Sequence, residues 1–164
     1  MADIANSKLF QNTEGIRQLK DALVVLVKTE WNADIIDELE SGCKRIFEQL
    51  GIESKTITVP GAIEIPFAIR QYPNTENVSA FIALGCVIRG GTPHFEYVCQ
   101  SVTQGITQLN LLLKVPVVFG VLTVDTIQQA KERIGGIHGH KGEEAALTAL
   151  KMILLNKQLT EGKI

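Results

Sequence analysis

Arg89, Thr92 and His94 lie close together in the stretch GCVIRGGTPHFEYV, which runs from Gly85 to Val98. A glycine turn feeding a helix presents unpaired N–H groups and a positive dipole end, which suits a phosphate. Thr92 is expected to cap that helix. Pro93 fits its first position, because the N–H that proline lacks has no helical partner there. Arg89 can add a charged fork beside the turn. His94, in the first helical turn, has the chemistry of a proton carrier at neutral pH. The bland alternative is a strand–turn–helix junction with a surface histidine.

Other residues invite similar pairs of readings. Trp31 is the only tryptophan and stands in the polar loop KTEWN. It is either core or a flat face for a heteroaromatic ring, and the polar loop favours the ring. Glu64, between Ile63 and Ile65, is either a helix-start charge favoured by the dipole or a hydroxyl binder. His138 and His140 share a glycine loop without a matching Cys or acidic cluster, so they fall short of a metal-ligand set. Arg133 and Lys141 flank that loop. Arg133 suits a helix C-terminus, whereas Lys141 precedes a helix and faces its positive end.

These side chains must be positioned by alternating strands and helices. Ala22–Val27 is a continuous apolar run, the sign of a strand covered on both faces. Ile35, Ile36, Leu39, Cys43, Ile46, Phe47 and Leu50 then recur at helical spacing, and Gly51 closes that helix. Ser54–Val59 is a second strand, and a helical segment follows from Ala62 to about Gln71. Tyr72–Thr75 reads as a loop, and Val78–Leu84 as the third strand, breaking on Gly85. A helix from Thr92 to about Lys114 carries the stripe Val98, Val102, Ile106, Leu109 and Leu113. Val115–Leu122 is the fourth strand. Asp125–Arg133 is a short helix capped by Asp125 or Thr126. Gly135–Gly142 reads as a flexible, cationic loop, and Glu143–Asn156 as the last helix. This alternation means one βαβ-built domain. In such sheets ligands sit past the carboxyl ends of the strands, so one site can gather Trp31, Glu64, Arg89 and His94.

The 164 residues suit a single domain with a full core, and 45% hydrophobic residues fit a globular class. A net charge of −2 gives no general pull toward nucleic acid or membrane, so any anion site must be local. Cys43, Cys86 and Cys99 form no CxxC pair, which argues against a disulfide framework or zinc knuckle and for a reducing cytoplasm. The N-terminus lacks a signal pattern, and no apolar run approaches a membrane span.

With these residues in hand, the chain resembles the 6,7-dimethyl-8-ribityllumazine synthase family from about Ala22 to Asn156. The resemblance rests on Val59–Pro66 (VPGAIEIP), Gly85–Phe95 (GCVIRGGTPHF), Val118–Thr123 (VFGVLT) and the Arg133…Gly139–Glu143 stretch, in that order. It implies condensation of 5-amino-6-ribitylaminouracil with 3,4-dihydroxy-2-butanone 4-phosphate, by imine formation, phosphate loss and ring closure, with no metal or organic cofactor. It implies that Trp31 stacks on the pyrimidine, where many relatives use Phe. Asn32, Cys86, Val87 and Ile88 would line the ring, while Ala62, Ile63 and Glu64 would hold the ribityl chain. Gly91 and Thr92 would bind phosphate, and His94 would move protons. Phe119, Arg133 and Lys141 would come from a neighbouring subunit, Phe119 and Lys141 to the pyrimidine and ribityl chain and Arg133 to the phosphate. Gly91 departs from the Ala or Glu common beside Thr92, and His140 from a frequent Asn before Lys141.

The expected architecture is a three-layer α/β/α sandwich on a four-stranded parallel sheet, flavodoxin-like, in order 2-1-3-4. Residues 1–20 would be an N-terminal arm, 21–158 the domain and 159–164 a tail. Family likeness implies a homopentamer, in some members closed into a 60-subunit icosahedral shell, with riboflavin synthase as a possible partner. No inserted segment near Gly135–Gly139 blocks such a shell. Two other classes stand beside this reading. A flavodoxin-type nucleotide module is disfavoured because the loop after the first strand has no glycine. A non-catalytic shell or flavin-storage relative is disfavoured by the retained His94 and Arg133.

Overall fold

The computed structural model describes residues 7–11, 13–73 and 75–163. Parts of three expected segments, residues 1–6 and 12 of the N-terminal arm, Asn74 of the Tyr72–Thr75 loop and Ile164 of the tail, lie outside them.

Strands β1 (Leu23–Thr29), β2 (Glu53–Val59), β3 (Ala80–Ile88) and β4 (Val117–Val124) form one parallel sheet in order β2-β1-β3-β4. Alternation along the strands sorts the core into two layers. Val24 and Leu26 of β1 and Ile82, Leu84 and Cys86 of β3 face helices α1 (Ala33–Leu50) and α5 (Lys141–Thr160). Val25, Val27, Phe81 and Ala83 face α2 (Ile65–Gln71) and α3 (His94–Leu112). Both faces of β1 and β3 are covered, so their apolar runs show no polar alternation. Each such side chain taken from water contributes on the order of 1.5–3 kcal/mol. The N-terminal segment joins the first layer, with Ile16 and Leu19 buried. Layering and strand order are those expected.

Several boundaries differ. β3 does not break on Gly85; it runs on to Ile88, because pairing with β4 continues through Gly85↔Val121 to Ile88↔Val124. Helix α3 begins at His94, with Pro93 rather than Thr92 in the cap position and no side chain capping it. The short helix α4 spans Ile127–Lys131, and here the expected Thr126 cap is present, its hydroxyl accepting from the Gln129 N–H at 3.2 Å.

The largest difference is the glycine-rich stretch expected to be a flexible loop. It folds as an antiparallel hairpin, β5 (Ile134–Gly136) and β6 (Gly139–His140), which leads straight into α5. Lys141 and Gly142 are the first residues of that helix, and it extends past Asn156 to Thr160. Glycines hide periodicity from the sequence, yet they let α1 and α5 cross closely. A Cβ on Gly142 would overlap the backbone carbonyl of Leu39, and one on Gly42 would fall inside the His140 ring.

Candidate active site

Beyond the carboxyl ends of β1 and β3 lies a cavity of about 550 Å³. Its walls include Trp31, Asn32, Ala62–Glu64, Cys86–Ile88 and His94. Thr29, Gly61 and Val98 line it as well and carry no chemical signal in the sequence beyond their places at strand and helix ends.

The loop after β1 is held tightly. Asn32 has φ 59°, the one positive value at a non-glycine among the described residues. Its Nδ2 donates to the Cys86 carbonyl at 2.8 Å, tying this loop to the end of β3. The Thr29 hydroxyl donates to the Trp31 carbonyl at 3.4 Å. Between these two anchors the indole is left 73% exposed, a ring presented rather than packed. This bond uses one N–H of the Asn32 amide and leaves its Oδ1 for the cavity that Asn32 lines.

Ala62–Glu64 form a 3-10 turn that continues into α2, with Glu64 at the cap position. Among the described residues the Glu64 carboxylate has no side-chain partner, and neither has the exposed His94 imidazole. Burial pushes the Cys86 thiol up to about 11, so it stays neutral and serves as wall rather than nucleophile.

Arg89 does not join this group. Its Nε donates to Asp125 Oδ1 at 2.7 Å, a second N–H reaches Glu96, and the guanidinium lies 4.1 Å from the centre of the Phe95 ring. Two carboxylates thus meet its charge, and in return it holds the Glu96 carboxyl below its ordinary range. With Gly90–Pro93 and Glu96 it lines a separate, shallow depression that holds the Gly91–Thr92 turn.

The remaining expected residues lie elsewhere on the chain. Phe119 and Lys141 line a cavity of about 340 Å³ beside β4 and α5. Lys141 Nζ is 2.6 Å from Glu144 Oε1, its side chain only 5% exposed. That pair resolves the misfit of a cation at a helix start. Arg133 follows α4 and donates from Nη1 to the Gln129 carbonyl at 2.8 Å, as a helix-terminus complement would. It lines neither cavity. His140 is buried and caps α5, and His138 lies 4.0 Å from Glu132.

Fold and site together define a flavodoxin-like protein with a small-molecule pocket at the carboxyl edge of its sheet. The sequence model of the family described as 6,7-dimethyl-8-ribityllumazine synthase matches residues 21–157. The 6,7-dimethyl-8-ribityllumazine synthase of Parabacteroides distasonis is 47% identical over 131 residues, covering 78% of this chain and 82% of that one. That of Porphyromonas gingivalis is 48% identical over 141 residues, covering 84% and 88%. That of Cytophaga hutchinsonii is 41% identical over 152 residues, covering 91% and 96%. The chain belongs to the 6,7-dimethyl-8-ribityllumazine synthase family.

Proposed function

We propose that the strand-end pocket carries out the reaction that family membership assigns to the chain, a transferase of riboflavin biosynthesis. 5-Amino-6-ribitylaminouracil condenses with 3,4-dihydroxy-2-butanone 4-phosphate to give 6,7-dimethyl-8-ribityllumazine, phosphate and water. The observation that carries this reading is that the Trp31 indole and the His94 imidazole open onto one cavity.

In this reading the pyrimidine stacks on Trp31 against Cys86–Ile88, with Asn32 fixing the platform, and the ribityl hydroxyls meet Ala62–Glu64. The 5-amino nitrogen attacks the ketone carbonyl. His94 supplies the proton that lets the hydroxyl of the adduct leave as water, forming the imine. It then takes up the proton removed from the neighbouring carbon as phosphate departs, the enol left behind becomes a ketone, and the ribitylamino nitrogen condenses on that carbonyl, closing the ring with loss of a second water. The Gly91–Thr92 turn and the uncapped start of α3 receive the phosphate. Holding two reactants together supplies much of the acceleration, worth up to ~7–11 kcal/mol in favourable intramolecular cases.

Arg133, Phe119 and Lys141 complete the site from a neighbouring copy in a pentamer. None of the three lines the strand-end cavity of its own chain, which supports that arrangement, as do the exposed Phe67, Tyr97, Leu111 and Leu112 on α2 and α3. The proposed assembly is that pentamer, or the 60-subunit shell that some family members build from twelve of them, with riboflavin synthase as a candidate partner that consumes the product. The three free thiols support a reducing, cytoplasmic location. No helix among the described residues is long and apolar enough to cross a membrane.

Mixing both substrates with purified protein should build up lumazine absorbance, with no added metal or cofactor. Flavin binding without turnover would instead indicate a storage relative. Light scattering, alone and with riboflavin synthase, measures the assembly.

A further inference from the structure

His140 stands at the junction of the β5–β6 hairpin and α5, and its ring is 8% exposed. The Glu143 backbone N–H points at Nδ1, 3.4 Å away, and can only donate. Nδ1 must therefore be bare, which leaves the single proton on Nε2, 3.2 Å from Glu38 Oε1. Arg45 closes a ring of bonds. It donates to Glu38 Oε1 at 3.1 Å and to Glu143 Oε1 at 3.2 Å, so α1 and α5 are linked twice around one imidazole. The hydrogen bond from His140 is the leading reason that the Glu38 carboxyl sits below its ordinary range.

The imidazole fits there only because Gly42 on α1 lacks a side chain. Through the hairpin it also reaches the two cations read as site residues. Ile134 pairs with His140 across the ladder, and the Lys141 N–H donates to the Arg133 carbonyl at 2.8 Å. Arg133 and Lys141 thus flank a two-strand clip whose only buried side chain is this ring.

We propose that His140 is a positioning residue: its neutral ring, proton on Nε2, fastens the hairpin to α1 and so sets where Arg133 and Lys141 are presented to the adjoining subunit. This rests on the reading of Arg133 as the phosphate ligand. Protonating Nδ1 would set two N–H groups against each other and put a cation at a helix N-terminus, where the dipole opposes it. The charged groups facing the ring are Glu38 and Arg45 from α1 and Glu143 from α5, while β5 offers it only Gly135. Acid should therefore loosen the clip, although the two carboxylates resist the change.

The test uses the full-length chain as His140→Ala and His140→Asn. Asparagine keeps a capping acceptor but does not titrate. Hydrogen exchange at the Lys141 and His138 amides should quicken by roughly five- to tenfold in His140→Ala, with the sheet amides unchanged. The KM for the phosphate substrate should rise by a similar factor, and more than that for the pyrimidine, while kcat stays within about twofold. In wild type that KM should climb as pH falls. His140→Asn should have a near-normal KM at neutral pH and no such climb. If hairpin exchange and KM are unchanged in His140→Ala, or the acid climb persists in His140→Asn, the proposal is overturned. Should His140→Ala not fold, His140→Asn decides alone. Failure of wild type to make lumazine would sink the functional reading, while the exchange data would still judge the clip.

Discussion

The cavity at the strand ends and the cavity beside β4 treat their polar groups in opposite ways. In the first, Glu64 and His94 carry no side-chain partner among the described residues, and the indole is offered outward. In the second, Lys141 is buried against Glu144, and nearby Arg133 bonds its own helix. A polar group left unpaired is ready for a ligand, whereas one already satisfied is presented in a fixed pose. On the proposed reading, the contrast means that one chain carries a receptive half-site and a rigid donor half.

In the proposed reaction, a change at His94 in the receptive half should alter chemistry, and a change at Arg133 in the donor half should alter binding of the phosphate substrate. The largest effect is expected for His94→Ala, which should slow turnover roughly ten- to a thousandfold without abolishing it. Wild-type kcat in that variant would remove His94 from the mechanism. Arg133→Ala comes next. It should raise the KM for the phosphate substrate by roughly ten- to a hundredfold, as loss of a charge-assisted bond does. Equal increases for both substrates would erase the distinction between the halves.

A third variant lies outside both cavities and tests the frame that holds them. Burial pushes the Glu40 carboxyl up, but hydrogen bonds from Lys28, Lys44 and Thr56 more than offset this and bring it down to about 2. A depressed folded-state value means that the stabilisation is complete above the ordinary carboxylate range and fades as pH falls from about 4.5 toward 2. Glu40→Gln should therefore cost on the order of 2 kcal/mol at neutral pH, with the deficit shrinking in acid, as urea melts would read. A constant deficit at every pH would discount the ion pairs. Smallest in energy but most direct is the optical test. Emission from Trp31 should be strongly quenched by a ribityl-pyrimidine analogue, and an unaltered spectrum at saturation would place the ring elsewhere.

The receptive half was legible in the sequence because strand-end loops are where such sheets bind ligands. Three apolar runs and the shorter Ser54–Val59 segment located those ends, although the glycine at position 85 disguised the last residues of β3. The other half was harder to read. Strands as short as β5 and β6 have no periodicity, and the glycines around them resemble a loop until the ladder is seen. Arg89 misled for a different reason. Its partners Glu96 and Asp125 are separated from it by 7 and 36 residues, and only the fold brings the second beside it. His140 gave no sign of its structural role, since nothing in the neighbouring sequence reveals that Gly42 makes room for it.

The left-handed turn at Asn32 has a kinetic consequence. A loop already pinned to β3 has little searching left to do when a ring arrives, so association should proceed in one phase without a slow rearrangement. In the proposed reaction, a left-handed pose that asparagine adopts readily thereby spares each cycle the time and entropy of assembling its platform afresh.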